Sequence, residues 1–188
     1  MSKFLTFISF AMFLWGASAP AAIQTLSAKG GQVEILALGR PAFIKIQGIG
    51  SALQGHIQLE DDAVKGEFEF DLASLDTGIQ MRNEHMKTKY LEVDKYPRAK
   101  LVIENATLNK GWSADKPDLK SAEFSGNLTF HGVTKPVKGS FSMGAGRDVL
   151  AEFAVKLSDY QVAIPSFAGI TVKDEVAIKV KIAAMDLM

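Results

Sequence analysis

No cysteine occurs among the 188 residues. A disulfide framework is therefore excluded, and the fold must rest on a hydrophobic core; no thiol is present to carry a lipid either. Charge of one sign is also lacking, because 21 Lys plus Arg balance 21 Asp plus Glu. So even a balance supplies no overall field to draw the chain to nucleic acid or to an anionic membrane. Catalytic signatures are missing as well. There is no G-x-S-x-G elbow and no H-E-x-x-H helix, and Gly48-Ile49-Gly50-Ser51 lacks the third glycine and the following helix of a dinucleotide fingerprint, so it reads as a turn. No internal repeat or low-complexity tract divides the chain. Its one long apolar run, Phe4 to Trp15, is shorter than the about 20 residues a membrane-spanning helix needs.

That run is informative for another reason. Lys3 precedes it and small residues follow it, the order of a secretory signal peptide. Cleavage after Ala21 is expected, making residues 1–21 the signal and residues 22–188 a single soluble domain. Removing Lys3 leaves 20 basic against 21 acidic residues (21 less one). A hydrophobic fraction of 47%, with 12 Phe against 2 Trp and 3 Tyr, is ample for a core and would equally line an apolar cavity.

Strand-like alternation recurs along the domain, at about 33–38, 43–47, 56–60, 64–72, 101–108, 124–130, 137–143, 150–157 and 176–182. Turn residues separate the runs, which predicts an all-β fold. The stretch from Lys110 to Asp118 reads as an exposed hairpin loop. Alternation alone fits a barrel or a sandwich. Between Gly66 and Leu101 the pattern changes character. Phe68, Phe70 and Leu72 alternate with Glu67, Glu69 and Asp71, giving one dry and one wet face. After Asp76-Thr77-Gly78, the residues Arg82, His85, Met86, Lys89, Tyr90 and Val93 fall at helical intervals until Tyr96-Pro97. Hairpins between antiparallel strands take about two to five residues, so this insertion is a candidate lid or binding element.

Several segments, FDLASLDTG, RNEHM, LEVDKYPRAKL, GNLTFHGVTKPVKGSF and SDYQVAIPSFAGITVKDEVAIKVKI, resemble in this order the YceI family of exported bacterial proteins. The resemblance covers nearly all of the chain beyond about Lys29 and is strongest at 66–101 and 124–141. It implies an eight-stranded antiparallel lipocalin-like barrel with a short helical insertion between strands, located in the periplasm and binding a polyisoprenoid or similar amphiphilic lipid. A closed sheet of eight strands is the smallest whose interior holds one small ligand. The family has Arg-Asp where this chain has Arg82-Asn83, which removes a carboxylate partner for a nearby cation.

On this reading the interior is lined by Phe68, Phe70, Leu72, Leu128, Phe130, Phe141, Phe153, Val155, Ile178 and Val180. At about 0.8 kcal/mol for each buried CH₂, two or three isoprene units would contribute about 8 to 12 kcal/mol before the costs of association. Arg82, His85 and Thr77 would then set head-group preference at the mouth. The competing role for Arg82 is to pair with Asp76 or Glu92 and hold the loop. The reading is of a carrier for an isoprenoid, quinone or similar lipid, not an enzyme, with no cofactor, no metal and no nucleic acid. A homodimer and a membrane redox partner are the protein partners it admits. Two alternatives remain: a filled barrel acting as an envelope interaction module, and an enzyme acting on a bound amphiphile. The last requires His85 or His131 to project into the cavity beside an acid. The acid row Glu67, Glu69 and Asp71 reads as a solvated face, and His56, His85 and His131 match no metal-ligand spacing.

Overall fold

The computed structural model describes residues 24–41, 44–60, 63–108, 112, 117–167 and 169–188. The expected signal peptide, Phe43 and most of the 110–118 loop lie outside them. Among the described residues, thirteen strands pair into one curled antiparallel sheet. In chain order they are β1 (Gln24–Ala28), β2 (Gln32–Arg40), β3 (Lys45–Gly50), β4 (Leu53–Glu60) and β5 (Ala63–Asp71), followed by the insertion and its helix α1 (Gln80–His85). Then come β6 (Arg98–Ala106), β7 (Leu119–Phe130), β8 (Val133–Met143), β9 (Val149–Lys156), the short β10 (Ser166–Phe167) and β11 (Ile170–Val172), β12 (Glu175–Ile182) and β13 (Asp186–Leu187).

The order across the sheet follows chain order over most of its width: β4, β5, β6, β7, β8 and β9 are neighbours, then β12, then β2. β1 and β2 are two parts of one chain direction, as are β3 and β4. They share a single antiparallel register, with Leu26 opposite Ile57 in one part and Val33 opposite Gly50 in the other. β2 also pairs with β12, Val33 lying opposite Val180.

Alternation explains which face each side chain takes. On β5, Phe70 is buried while Glu67 and Glu69 reach across the outer face to Lys100 and Arg98 of β6, at 2.6 and 2.7 Å. These are the diagonal cross-strand pairs an antiparallel sheet allows, exposed and of small individual worth. Asp71 instead serves the backbone. Its carboxylate accepts from Ala73 N–H at 2.9 Å and caps the 3-10 turn Leu72–Ser74.

One expectation fails. Gly48-Ile49-Gly50 is strand β3, not a turn. Its glycines are required by close approach: a Cβ on Gly50 would stand 2.5 Å from Phe70 Cζ and 2.6 Å from Ser74 Oγ. The expected strand at 64–72 also stops one residue earlier, because Leu72 enters the capped turn. β10, β11 and β13, of two or three residues, are too short to show alternation in the sequence. In the 110–118 loop, Trp112 Nε1–H donates to the Pro117 carbonyl at 3.1 Å, so its indole is partly buried against the sheet instead of exposed.

Candidate functional site

The insertion between β5 and β6 is built on hydrogen bonds before it is built on packing. Thr77 N–H and Oγ1–H both donate to Asn83 Oδ1, at 2.8 and 2.7 Å, and Asn83 Nδ2 donates to Asp76 Oδ1 at 2.7 Å. Gly78 N–H donates to the same Asp76 oxygen at 2.7 Å, at a φ of 75° that glycine adopts without strain. The amide of Asn83, then the N–H of Gly78, hold the Asp76 carboxyl below its ordinary value.

Arg82 completes the network from the helix side. Its Nε–H donates to Thr77 Oγ1 at 2.8 Å and a terminal N–H to the Thr77 carbonyl at 2.6 Å. The expected pairing of Arg82 with Asp76 or Glu92 is therefore incorrect. Asp76 is occupied by Asn83 and Gly78, and Glu92 by His131. Asn83 stands where the family has a carboxylate, and it holds the loop by its amide. An amide both accepts from Thr77 and donates to Asp76, which an ionised Asp at the same position cannot do.

Six residues of α-helix are marginal alone. α1 continues into a π-helical turn, Met86–Tyr90, and the chain leaves it at Glu92, whose φ is 43°. The helix expected up to Tyr96 is thus shorter and changes pitch midway. Packing anchors it: Leu91 is buried, and Met86, Tyr90 and Val93 lie against the core. Lys87 Nζ donates to the Ala73 carbonyl at 2.6 Å. At the far end, His131 of the β7–β8 turn donates from Nε2 to the Glu92 carboxylate at 2.8 Å, and its Nδ1 lies 3.1 Å from the Tyr160 carbonyl.

Under this insertion the sheet curls round an open-mouthed cavity of about 650 Å³, within the ~300–1,000 Å³ range of small-molecule sites. β5 and the turn after it supply Phe68, Phe70 and Leu72; β7 supplies Leu128 and Phe130. Phe141 comes from β8, Phe153 and Val155 from β9, and Ile178 and Val180 from β12. Thr77, Arg82 and His85 line the same cavity from the insertion, so the ten apolar side chains expected in the wall and the three expected at the mouth face one space. Lys89 does too; the helical pattern in the sequence includes it, four residues after His85 on the same face, but gives it no role at the mouth. Ile44, Ile79 and Met81 also line it; nothing in the local pattern marks them.

Among the described residues, the lining holds no Asp or Glu. His85 therefore faces the cavity without an acid, whereas His131 has its acid, Glu92, but does not line the cavity. Among the described residues, too, no three His, Asp or Glu side chains converge as a metal site would require.

Comparison with known proteins places this geometry. The family model of the YceI-like domain matches residues 31–184. A UPF0312 protein of Pseudomonas fluorescens (strain SBW25) is 32% identical over 190 residues, covering 86% of this chain and 94% of the relative. Another, from Pseudomonas savastanoi pv. phaseolicola, is 40% identical over 90 residues; there the match takes in 46% of this chain and spans only 42% of the relative's length. Among solved structures, Burkholderia cenocepacia BcnA superposes with a TM-score of 0.64 at 19% identity, over 82% of this chain and 96% of that one. A polyisoprenoid binding domain from Saccharophagus degradans, implicated in plant cell wall breakdown, superposes at 0.58 and 14% identity, over 87% and 99%. The Campylobacter jejuni YceI protein does so at 0.57 and 17%, over 75% and 85%. At these identities the structural likenesses establish the fold.

Proposed function

The chain belongs to the YceI-like domain family, and from that premise we propose that it binds an isoprenoid lipid, a quinone or a similar amphiphile in its cavity and carries it through the periplasm, to which residues 1–21 direct it. The observation that carries this reading is the cavity itself: about 650 Å³ walled by aromatic and aliphatic side chains, with all its polar groups but Ser166 gathered at the insertion. An apolar chain gains from such walls, while Thr77, Arg82 and His85 meet a polar head. The polyisoprenoid-binding domain of Saccharophagus degradans, similar in fold, agrees with this assignment.

The cargo would sit inside a closed eight-strand barrel. Joining β1 to β2 and β3 to β4 as single long strands, and setting aside β10, β11 and β13 of two or three residues, gives eight, and the pairing of β2 with both β12 and β3 supports closure of the ring. An interaction module with a filled barrel is disfavoured by the size of the cavity. Catalysis on the bound amphiphile is disfavoured because neither His85 nor His131 combines access to the cavity with an acid.

Native mass spectrometry of the protein purified from its own envelope, followed by organic extraction, tests the reading. A defined added mass, recovered as a polyisoprenoid or quinone, is expected. A bare mass, with no uptake of such lipids when offered, would reject it.

A further inference from the structure

The mouth of the cavity leaves large apolar side chains in water. Ile79 is 53% exposed, Met81 62% and Ile44 39%, and all three also line the cavity. Ile79 and Met81 belong to the insertion and Ile44 to the β2–β3 connection, and each is at once exposed and part of the cavity wall, so the exposed apolar surface is continuous with the apolar interior. Leu150, by contrast, is exposed near the start of β9, opposite Ser142 and Lys181, at the strand ends away from the insertion.

Charge on the cavity lining is one-sided although the chain as a whole is balanced. The titratable groups among the lining residues of the insertion are Arg82, His85, Lys89 and Tyr90, and among the described residues no carboxylate accompanies them. Arg82 spends two of its five N–H donors on Thr77 and has three left. The acids of the insertion do not line the cavity: Glu92 is bonded to His131, and Asp94 lies exposed beyond the helical segment. Asp76 is held by Asn83 and Gly78, and Glu84 accepts from Gln80 one turn away, in a stripe that does not line the cavity.

A water-insoluble chain that passes from a bilayer into this cavity avoids water only if the mouth touches the bilayer. We propose that the mouth docks on an anionic phospholipid surface, with Ile79, Met81 and Ile44 entering the interfacial layer and Arg82, Lys89 and His85 against lipid phosphates. This rests on the carrier reading, since the docked surface is the door of that cavity. A few apolar side chains and two or three cations give a reversible, salt-sensitive association and not an anchor.

Flotation of the protein with vesicles tests it, using phosphatidylcholine alone and phosphatidylcholine mixed with phosphatidylglycerol. The protein is expected to float with the mixture, not with phosphatidylcholine alone, and to be released by about 0.5 M salt, where screening is short-ranged. Met81→Glu and Ile79→Glu should each lower binding about ten-fold or more by losing apolar contact and adding repulsion. Leu150→Glu adds the same charge elsewhere and should not. Equal losses for all three variants, or no flotation of the wild type, would overturn docking. So would a dimer in sedimentation that Met81→Glu splits while vesicles go unbound, because a second copy would then cover the face. Uptake of farnesol by the wild type in solution separates the two readings: farnesol bound without flotation rejects docking alone, and flotation without farnesol rejects the carrier.

Discussion

Glu92 and His131, 39 positions apart, are joined by a 2.8 Å hydrogen bond, and both hold left-handed backbone, with φ of 43° and 50°. The bond ties the exit of the insertion to the β7–β8 turn. Tyr96 reinforces it: its ring packs 4.6 Å from that of His131, and its N–H donates to the Glu92 carbonyl. A Cβ on Gly132 would strike the Tyr96 ring at 2.6 Å, so the turn needs glycine there for space as well as for its φ of 75°.

Glu92→Ala should therefore cost about 1–3 kcal/mol, because it leaves a buried imidazole nitrogen without its acceptor. Glu92→Gly removes the same carboxylate but relieves the left-handed backbone, and should recover about 1 kcal/mol of that loss. Urea midpoints rank the two, and amide exchange at Leu91 and Val93 reports whether the exit of the insertion has come loose. Wild-type midpoints for both variants would show that the bond holds nothing.

The Asn83 amide makes the entrance of the insertion sensitive to acid. Asp76 is depressed in the folded protein from its ordinary 3.8, so its contribution is fully present above that value and is lost as pH falls through the lower folded one. No change is expected between pH 7 and 5. Asn83→Ala removes the largest cause of the depression, and the Asp76 midpoint followed by carboxyl NMR should rise. Asn83→Asp should raise it further, since a second carboxylate replaces a donor. A midpoint unmoved in both variants would contradict the network.

The wall of the cavity was legible in the sequence because strand alternation assigns faces without knowledge of partners. Phe68 and Phe70, or Ile178 and Val180, declare their side by their spacing alone. Hydrogen-bond partners were not legible. Arg82 had two acidic neighbours to choose from on paper, yet it bonds to Thr77, because the turn of Gly78 brings that hydroxyl and carbonyl under the guanidinium. The Glu92–His131 bond depends on the sheet bringing the β7–β8 turn under the insertion, a proximity no local pattern encodes. Gly50 misled for a related reason: a glycine in a strand looks like a turn until the ring it makes room for is known.

Core truncations should distinguish filled from open parts of the interior. Leu119, 1% exposed, does not line the cavity, so Leu119→Ala should cost about 2–5 kcal/mol, as in a close-packed core. Phe153 lines the cavity and packs edge-on to Phe124 at 6.1 Å. Because one side of its ring already lacks protein contacts, Phe153→Ala should cost less than the about 3–5 kcal/mol usual for a buried phenylalanine. Chemical denaturation of protein stripped of lipid checks both, and a Phe153→Ala loss above that range would mean the ring is packed on all sides.

Filling the cavity should separate binding from folding. Ala151 lines it from β9 and stands opposite Phe141 and Val180, which line it too. A larger side chain there enters empty space, so Ala151→Phe should avoid the about 1–3 kcal/mol penalty of overpacking a dense core. It should also take room from the cargo's chain and displace the contacts that chain makes with Phe153 and Ile178. The expected outcome is a denaturation midpoint near that of the wild type, with affinity for a long polyisoprenoid reduced about ten-fold or more, the equivalent of about two lost CH₂ contacts. Shorter chains should be affected less, since they leave part of the cavity unused. Unchanged affinity at every chain length would place the cargo elsewhere, and a large loss of stability would mean that the space beside Ala151 is filled in the folded protein.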